Sequence, residues 1–376
     1  MLRGVAALSV VLWHWQHFFF TGTEPGTFEV AGLPLSSVLL PIYTRGWMAV
    51  DVFFCLSGFI FYWLYAEKVS SGSITPGRFA LLRLSRLYPL HVATLVLVAL
   101  GQFWLFSTRG GYFIYEHNDV KHFLLNLLFA SSWGFETGFS FNGPIWSVSV
   151  EVLLYAIFFA ICRLLPIRVT LLGLVSVIGF AVIRRHDPAI GSGVGSFFLG
   201  GCLFFLYRRI IASPRFQAVT RVLVAFVVGA WLLTFLVCLQ GTNFAVSLLR
   251  DAPPVWRFVV NLSLDAWPTL VLFPATILTL ALAETRRGTL GKRISFLGDI
   301  SYSSYLLHFP LQLATYIVAG QLGLGTSIYY SPLFMIAFFA ILILVSLGSY
   351  HYFEVPSQRF LRQFGVPAGL RASRTS

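Results

Sequence analysis

The sequence predicts an all-α fold: a polytopic transmembrane helix bundle of about ten spans plus one short re-entrant or interfacial helix, with both termini cytoplasmic. Three observations carry that prediction. First, the 376 residues are 57% hydrophobic and only 11% charged, where an ordinary soluble domain carries about 25% charged residues. Even a 300-residue soluble domain buries only about 75% of its unfolded surface, so a chain this apolar needs lipid as part of its solvent. Second, apolar runs close to the roughly 20 residues that cross a hydrocarbon core recur along the whole chain. Third, a ten-span layout that starts from a cytoplasmic Arg3 places 19 of the 26 Lys and Arg residues inside, as the positive-inside rule requires.

The predicted spans lie near residues 4–20, 46–65, 88–106, 145–162, 169–183, 193–207, 222–239, 266–283, 300–320 and 333–352. No small-residue cleavage site follows the first run, which therefore reads as a retained helix and not a signal peptide. Residues 122–133 are apolar but too short to span; they are read as the re-entrant or interfacial piece, which protein must shelter. The outer segments 21–45, 107–144 and 240–265 hold Gly, Pro, Trp and scattered carboxylates, and connections that long are often functional. Arg184 and Arg185 form the outside pair that resists the charge rule, and the one account of them is an anionic partner in the outer loop. Residues 1–358 read as one transmembrane domain, and residues 359–376 as a short basic cytoplasmic tail. The net charge of +12 follows from the loop bias. It does not signal nucleic acid, because no basic stripe interleaves with aromatics. Cys55, Cys162, Cys202 and Cys238 stand alone in apolar runs, without the spacing of a zinc site or a disulfide framework, and no metal is expected.

A charge at the bilayer centre costs roughly 2.5–3.5 kcal/mol on insertion scales, so each ionisable group inside a span asks for a partner or a purpose. The candidates are His14, His17, Asp51, Glu151 and His308, with His91 and His351 nearer the inner ends. Arg3 and His14 are eleven residues apart, about three turns and about 16 Å, and share one helix face. Asp51 lies five residues past Gly46 in a span running the other way, and Glu151 lies six residues into a span that also starts outside. Both are expected at the depth of His14, and three such groups in one layer favour function. For His17, His91 and His351 the better reading is packing, with the ring bonded to a backbone carbonyl. Arg78, Arg83 and Arg86 precede the third span; guanidinium forks suit phosphate, and a basic membrane-adjacent segment also serves as an orientation signal or an anionic-lipid contact.

Six segments in order, LRGVAALSVVLWH at 2–14, GWMAVDVFFCLSGFI at 46–60, RFALLRLSRLYPLH at 78–91, NGPIWSVSVEVLLY at 142–155, LGDISYSSYLLHFPL at 297–311 and FEVP at 353–356, resemble acyltransferase family 3, polytopic enzymes that move acyl groups onto carbohydrates and other acceptors. The resemblance implies a catalytic His14 with Asp51 and Glu151, and acyl-coenzyme A bound by Arg83, Arg86 and Arg3. It also implies a pore or substrate role for His308, Trp146 and Tyr155. The donor implied is acyl-coenzyme A, with acetyl the expected group. The acceptor is a hydroxyl of a carbohydrate or glycolipid at the outer side of a cell membrane, and membrane lipid is the surrounding partner.

Members of the family usually carry a polar segment with an acidic residue before the first Arg-Gly, whereas almost nothing here precedes Arg3. No long C-terminal extension houses a soluble transferase domain, so the membrane domain is expected to deliver the group itself. His14 is a general base, since imidazole titrates near neutrality, or else forms a covalent acyl-histidine. In the first case Asp51 is expected to accept a hydrogen bond from its ring. The rival class is a proton-coupled transporter or flippase, because His, Asp and Glu in a membrane also build proton relays. Release of thiol from acetyl-coenzyme A separates the two.

Overall fold

The computed structural model describes residues 1–239, 253, 266–288 and 290–364. The expected outer segment 240–265 lies almost wholly outside the described residues, as does the tail beyond residue 364. The principal helices are α1 (Leu2–Trp13), α2 (Ser36–Arg45), α3 (Ala49–Leu64), α4 (Pro76–Arg109), α5 (Val120–Leu127), α6 (Trp146–Leu164), α7 (Val169–Ile178), α8 (Pro188–Ile211), α9 (Phe216–Leu239), α10 (Phe273–Arg287), α11 (Ser301–Gln321), α12 (Pro332–Ser349) and α13 (Val355–Gln363). Among the described residues there is no strand.

Eight helical stretches are long and apolar enough to cross a membrane: Ser36–Leu64, Pro76–Arg109, Gly143–Leu164, Val169–His186, Pro188–Ile211, Phe216–Leu239, Pro268–Arg287 and Pro332–Gln363. Two of the ten expected spans do not meet that standard. The first breaks at His14, where α1 gives way to a 3-10 segment, His14–Phe19. The other, α11, has the length at 21 residues, but its serines, His308 and Gln312 dilute its hydropathy. Those groups are buried, so α11 turns its polar side inward. The short piece expected at 122–133 is α5, eight residues long and too short to span.

The chain divides into two compact units. Unit 1 holds Met1–Trp15, Glu29–Ala66 and Pro166–Phe296. Its centre is the pair α3 and α8. A Cβ built on Gly58 would fall on the Phe197 carbonyl, and one on Gly200 would fall on the Cys55 carbonyl, so only glycine lets these two backbones touch. Aromatic edges flank the crossing, Phe59 against Phe204 and Phe61 against Phe197. Helices α1 and α10 pack on α3, and α7 on α8. On α9 only 11% of the most apolar stretch is buried, which leaves most of that helix for lipid.

Unit 2 holds Gln16–Phe28, Glu67–Leu165 and Leu297–Ser376. Its axis is α4, 34 residues long, about 51 Å at 1.5 Å per residue. Thr75 caps its start by accepting from the Arg78 N–H, Pro76 sits at the first turn, and Gly110 ends it at a φ of 71°, in the left-handed region where glycine costs least. Leu95, Val98 and Leu105 of α4 meet Phe309 and Leu313 of α11 and Phe113 and Phe141 from the connecting segments. The Gln102 amide clamps the backbone of Phe113 at both ends, donating to its carbonyl (2.8 Å) and accepting from its N–H (2.9 Å).

Asp119 caps α5, accepting from the backbone N–H of His122 at 2.9 Å and from its ring Nδ1 at 2.8 Å. These bonds hold the exposed Asp119 carboxyl below the usual carboxylate range. Helices α11 and α13 both pack on α4. Arg359 and Arg362, expected in a polar tail, instead sit on α13, which runs straight through the expected boundary between residues 358 and 359.

Candidate functional site

In unit 1 the expected residues Arg3, His14 and Asp51 sit on two helices whose register fixes their levels. A Cβ on Gly46, just before α3, would meet the Ser9 carbonyl at 2.7 Å and Trp13 Cβ at 2.9 Å, so the start of α3 lies against the end of α1. Farther along, the Arg3 guanidinium lies 6.0 Å from the centre of the Phe53 ring, a cation–π contact. The two helices therefore run antiparallel. Five helical residues carry Asp51 about 7.5 Å from Gly46 toward the Arg3 end, away from His14, and the expected equal depth is not what the register gives.

The hydrogen bonds agree. Thr269 Oγ1 donates to Asp51 Oδ2 at 3.0 Å and Ser196 Oγ to Oδ1 at 3.4 Å; among the described residues these are the hydrogen bonds to Asp51, in place of the expected one from His14. Thr269 stands on a π-helical turn, Pro268–Leu272, a feature frequent at functional positions. The charge of Arg184 also acts on Asp51. His14 is 6% exposed and packs its ring edge-on to Trp13, with centroids 4.7 Å apart.

Unit 2 holds the other candidates, and in it a cavity of about 260 Å³ lies among α4, α11, the Tyr350–Glu354 turn and α13, lined by Arg83, Arg86, Tyr302, Glu354, Gln358 and Arg362. The segment expected to precede the third span as a basic connection is the first third of α4, so Arg83 and Arg86, three residues apart, share one helix face. Glu354 is 8% exposed and closes a π-helical turn, Tyr350–Glu354. Its Oε1 accepts from Ser303 and, at 3.1 Å, from Ser349. Asp299 is the second carboxylate of the lining. Three guanidinium groups against two carboxylates leave the cavity net positive, which suits an anion.

Glu151, on α6, accepts from the Tyr155 hydroxyl at 2.8 Å, one turn apart, so two of the expected residues are brought together. Trp146 is the first residue of α6. Next to it in sequence, Ser147 Oγ meets the Tyr305 hydroxyl at 2.8 Å, and that hydroxyl donates to the Pro144 carbonyl at 3.0 Å. His308 is fully buried, and its Nδ1 donates to the Tyr305 carbonyl at 2.6 Å. In the neutral ring this fixes the tautomer with its lone pair on Nε2.

His17 was expected to be a packing residue, yet its polar neighbours are His308 and Gln312, inside a frame made by Phe20, Tyr115 and Phe309. No period ties residue 17 to 308, so only the fold reveals this grouping. His91 meets the packing expectation: Nε2 donates to the Asn126 carbonyl at 2.7 Å and the ring stacks on Phe129, with centroids 4.3 Å apart. His351 is exposed. Among the described residues no group of three or more His, Cys, Asp or Glu side chains is placed to hold a metal ion.

Comparison with known proteins bears on these groups. Residues 1–351 match the family described as an acyltransferase domain. The chain is 29% identical over 344 residues to the "Acyltransferase MdmB" of Streptomyces mycarofaciens, covering 86% of this chain and 80% of that protein. It is 26% identical over 310 residues, 76% of this chain and 73% of the relative, to the "Putative membrane-bound transacylase BcsY" of Komagataeibacter xylinus. It is 24% identical over 334 residues, 87% and 86%, to the "Putative acetyltransferase ORF330" of Acidianus two-tailed virus. No solved structure matches the chain.

Proposed function

This chain belongs to acyltransferase family 3 and is a membrane acyltransferase, and on that premise we propose that it moves an acyl group, acetyl first among them, from cytoplasmic acyl-coenzyme A to a hydroxyl of a carbohydrate or glycolipid at the outer side of the cell membrane. The observation that carries the donor half is the cavity holding Arg83 and Arg86. It is smaller than the roughly 300–1,000 Å³ of a whole-ligand pocket, so it serves as a subsite for the phosphate end of the coenzyme.

His14 is the general base in this reading. Its ring takes the proton of the acceptor hydroxyl, the oxygen attacks the thioester carbonyl, and the tetrahedral intermediate collapses by breaking the carbon–sulfur bond. The proton held by the imidazolium then goes to the thiolate, leaving an ester and free coenzyme A. Glu151, which accepts from the Tyr155 hydroxyl, is the acidic group of the catalytic set. Asp51 acts at a remove, by holding α3, α8 and the Pro268–Leu272 turn in place. Trp146, Tyr155 and His308 contact substrate in this reading, and both termini lie in the cytoplasm.

The test is thiol release from acetyl-coenzyme A by the purified chain in the presence of a carbohydrate acceptor, with the acetyl ester detected on the acceptor. Release that requires the acceptor supports the proposal. Transport of an intact substrate with no thiol release would replace it with a proton-coupled transporter or flippase.

A further inference from the structure

The third arginine of the cavity comes from α13, all of whose residues, 355–363, lie beyond the stretch that matches the family, residues 1–351. Glu354, Gln358 and Arg362 recur every four residues, which puts them on one helical stripe, and all three line the cavity. The Arg362 guanidinium is fastened to α4 on the same turn that bears the other two arginines: Nε donates to Ser85 Oγ at 3.3 Å and Nη2 to the Leu82 carbonyl at 3.4 Å. These bonds hold the guanidinium beside Arg83 and Arg86.

Three like charges around one small space repel each other, and the two carboxylates of the lining only partly offset them. The arrangement is thus stabilised by an anion with several acceptor oxygens, and a guanidinium fork matches phosphate geometry in a way that a lysine ammonium does not. We propose that Arg362 is a third phosphate-binding residue of the donor subsite, supplied by the C-terminal helix, so that the functional domain extends at least to residue 362. This rests on the reading of the cavity as the acyl-coenzyme A subsite. A lipid headgroup offers the same phosphate chemistry, and the nucleotide is the source assigned here because Arg362 shares its cavity with Arg83 and Arg86.

The experiment measures equilibrium binding of radiolabelled acetyl-coenzyme A to the full chain in detergent. It compares wild type with Arg362→Ala, Arg362→Gln, Arg362→Lys and the double variant Arg83→Ala/Arg86→Ala, and follows thermal stability in parallel. Arg362→Ala and Arg362→Gln are expected to weaken donor affinity at least tenfold, with Arg362→Lys recovering part of the loss. Donor affinity unchanged in Arg362→Ala but lost in the double variant overturns the role of Arg362 and leaves the cavity assignment standing. Affinity unchanged in all variants overturns both.

The Gln variant keeps a donor for Ser85 without the charge. If it binds acetyl-coenzyme A like wild type while the Ala variant loses binding and stability together, Arg362 is a packing residue and the proposal fails. A titration with short-chain phosphatidylglycerol is the last arm. Weaker lipid binding by Arg362→Ala with intact acetyl-coenzyme A affinity assigns the guanidinium to a headgroup and also overturns the proposal.

Discussion

Asp51 in unit 1 and Glu354 in unit 2 are both buried carboxylates on apolar helices, each held by two hydroxyl donors, Ser196 and Thr269 in one case and Ser303 and Ser349 in the other. They differ in what lies beyond those donors. The bonds to Asp51 are spread over both oxygens, which joins three parts of the unit. Both bonds to Glu354 go to Oε1, and the residue borders a cavity with three arginines. A buried charge in a membrane protein is thus a poor guide to chemistry by itself; whether open space adjoins it distinguishes a structural tie from a binding group. The same contrast extends to the proposed roles, with the base in unit 1 and the donor grip in unit 2.

The largest expected effect tests that division. His14→Ala should reduce ester formation on the acceptor to below one tenth of wild type, a barrier increase of more than about 1.4 kcal/mol, and leave acetyl-coenzyme A affinity intact. Residual transfer above one tenth would remove the base from unit 1. The double variant Arg83→Ala/Arg86→Ala should show the converse: donor affinity lower by at least about tenfold, since a hydrogen bond to a charged group is worth about 1.5–3 kcal/mol, with full turnover recovered at saturating donor.

A smaller effect has an unusual sign. Glu354→Gln removes a negative charge from the edge of the anion cavity, so acetyl-coenzyme A should bind about threefold to tenfold tighter, the scale of a partly screened charge pair. Weaker binding would mean that the carboxylate's main work is to hold the arginines. Asp51→Asn should change donor affinity least, by less than about twofold. Its cost should appear as lower stability, roughly 1 kcal/mol for hydrogen bonds made less favourable, seen as a lower unfolding midpoint in detergent. If Asp51→Asn alters donor binding more than Glu354→Gln does, the comparison between the two carboxylates is wrong.

Much of the fold is legible in the sequence because lipid imposes a simple rule: a run of apolar residues long enough to cross must satisfy its own backbone bonds as a helix. The rule is least informative where a helix turns polar groups inward, and α11 shows why, since Ser303, His308 and Gln312 are fully buried yet count against hydropathy. Residue spacing also placed Arg83 and Arg86 near each other. Depth was harder to read, because counting from the ends of Asp51's span gives no account of how α1 and α3 are offset, and that offset is set by the contact of Gly46 with Ser9 and Trp13. The position of Arg362 was hidden by its polar surroundings. A signal was there in the four-residue spacing of Glu354, Gln358 and Arg362 after the FEVP segment, which is the period of a helix with one polar side. The grouping of His17 with His308 joins residues almost 300 positions apart and leaves no trace in local pattern.

Helix α4 joins the arginine-lined cavity at one end to the Gln102 clamp farther along, and in mechanical terms it is a rod with one soft joint. Arg86 and Gln102 are sixteen residues apart, about 24 Å of helix, and Pro89 lies between them. Proline lacks the N–H that would have met the Ser85 carbonyl and crowds that turn, so one rung is missing just above the arginines. Bending stiffness is lowest there. The Phe113 loop that Gln102 holds lies on the far side of that joint from the arginines.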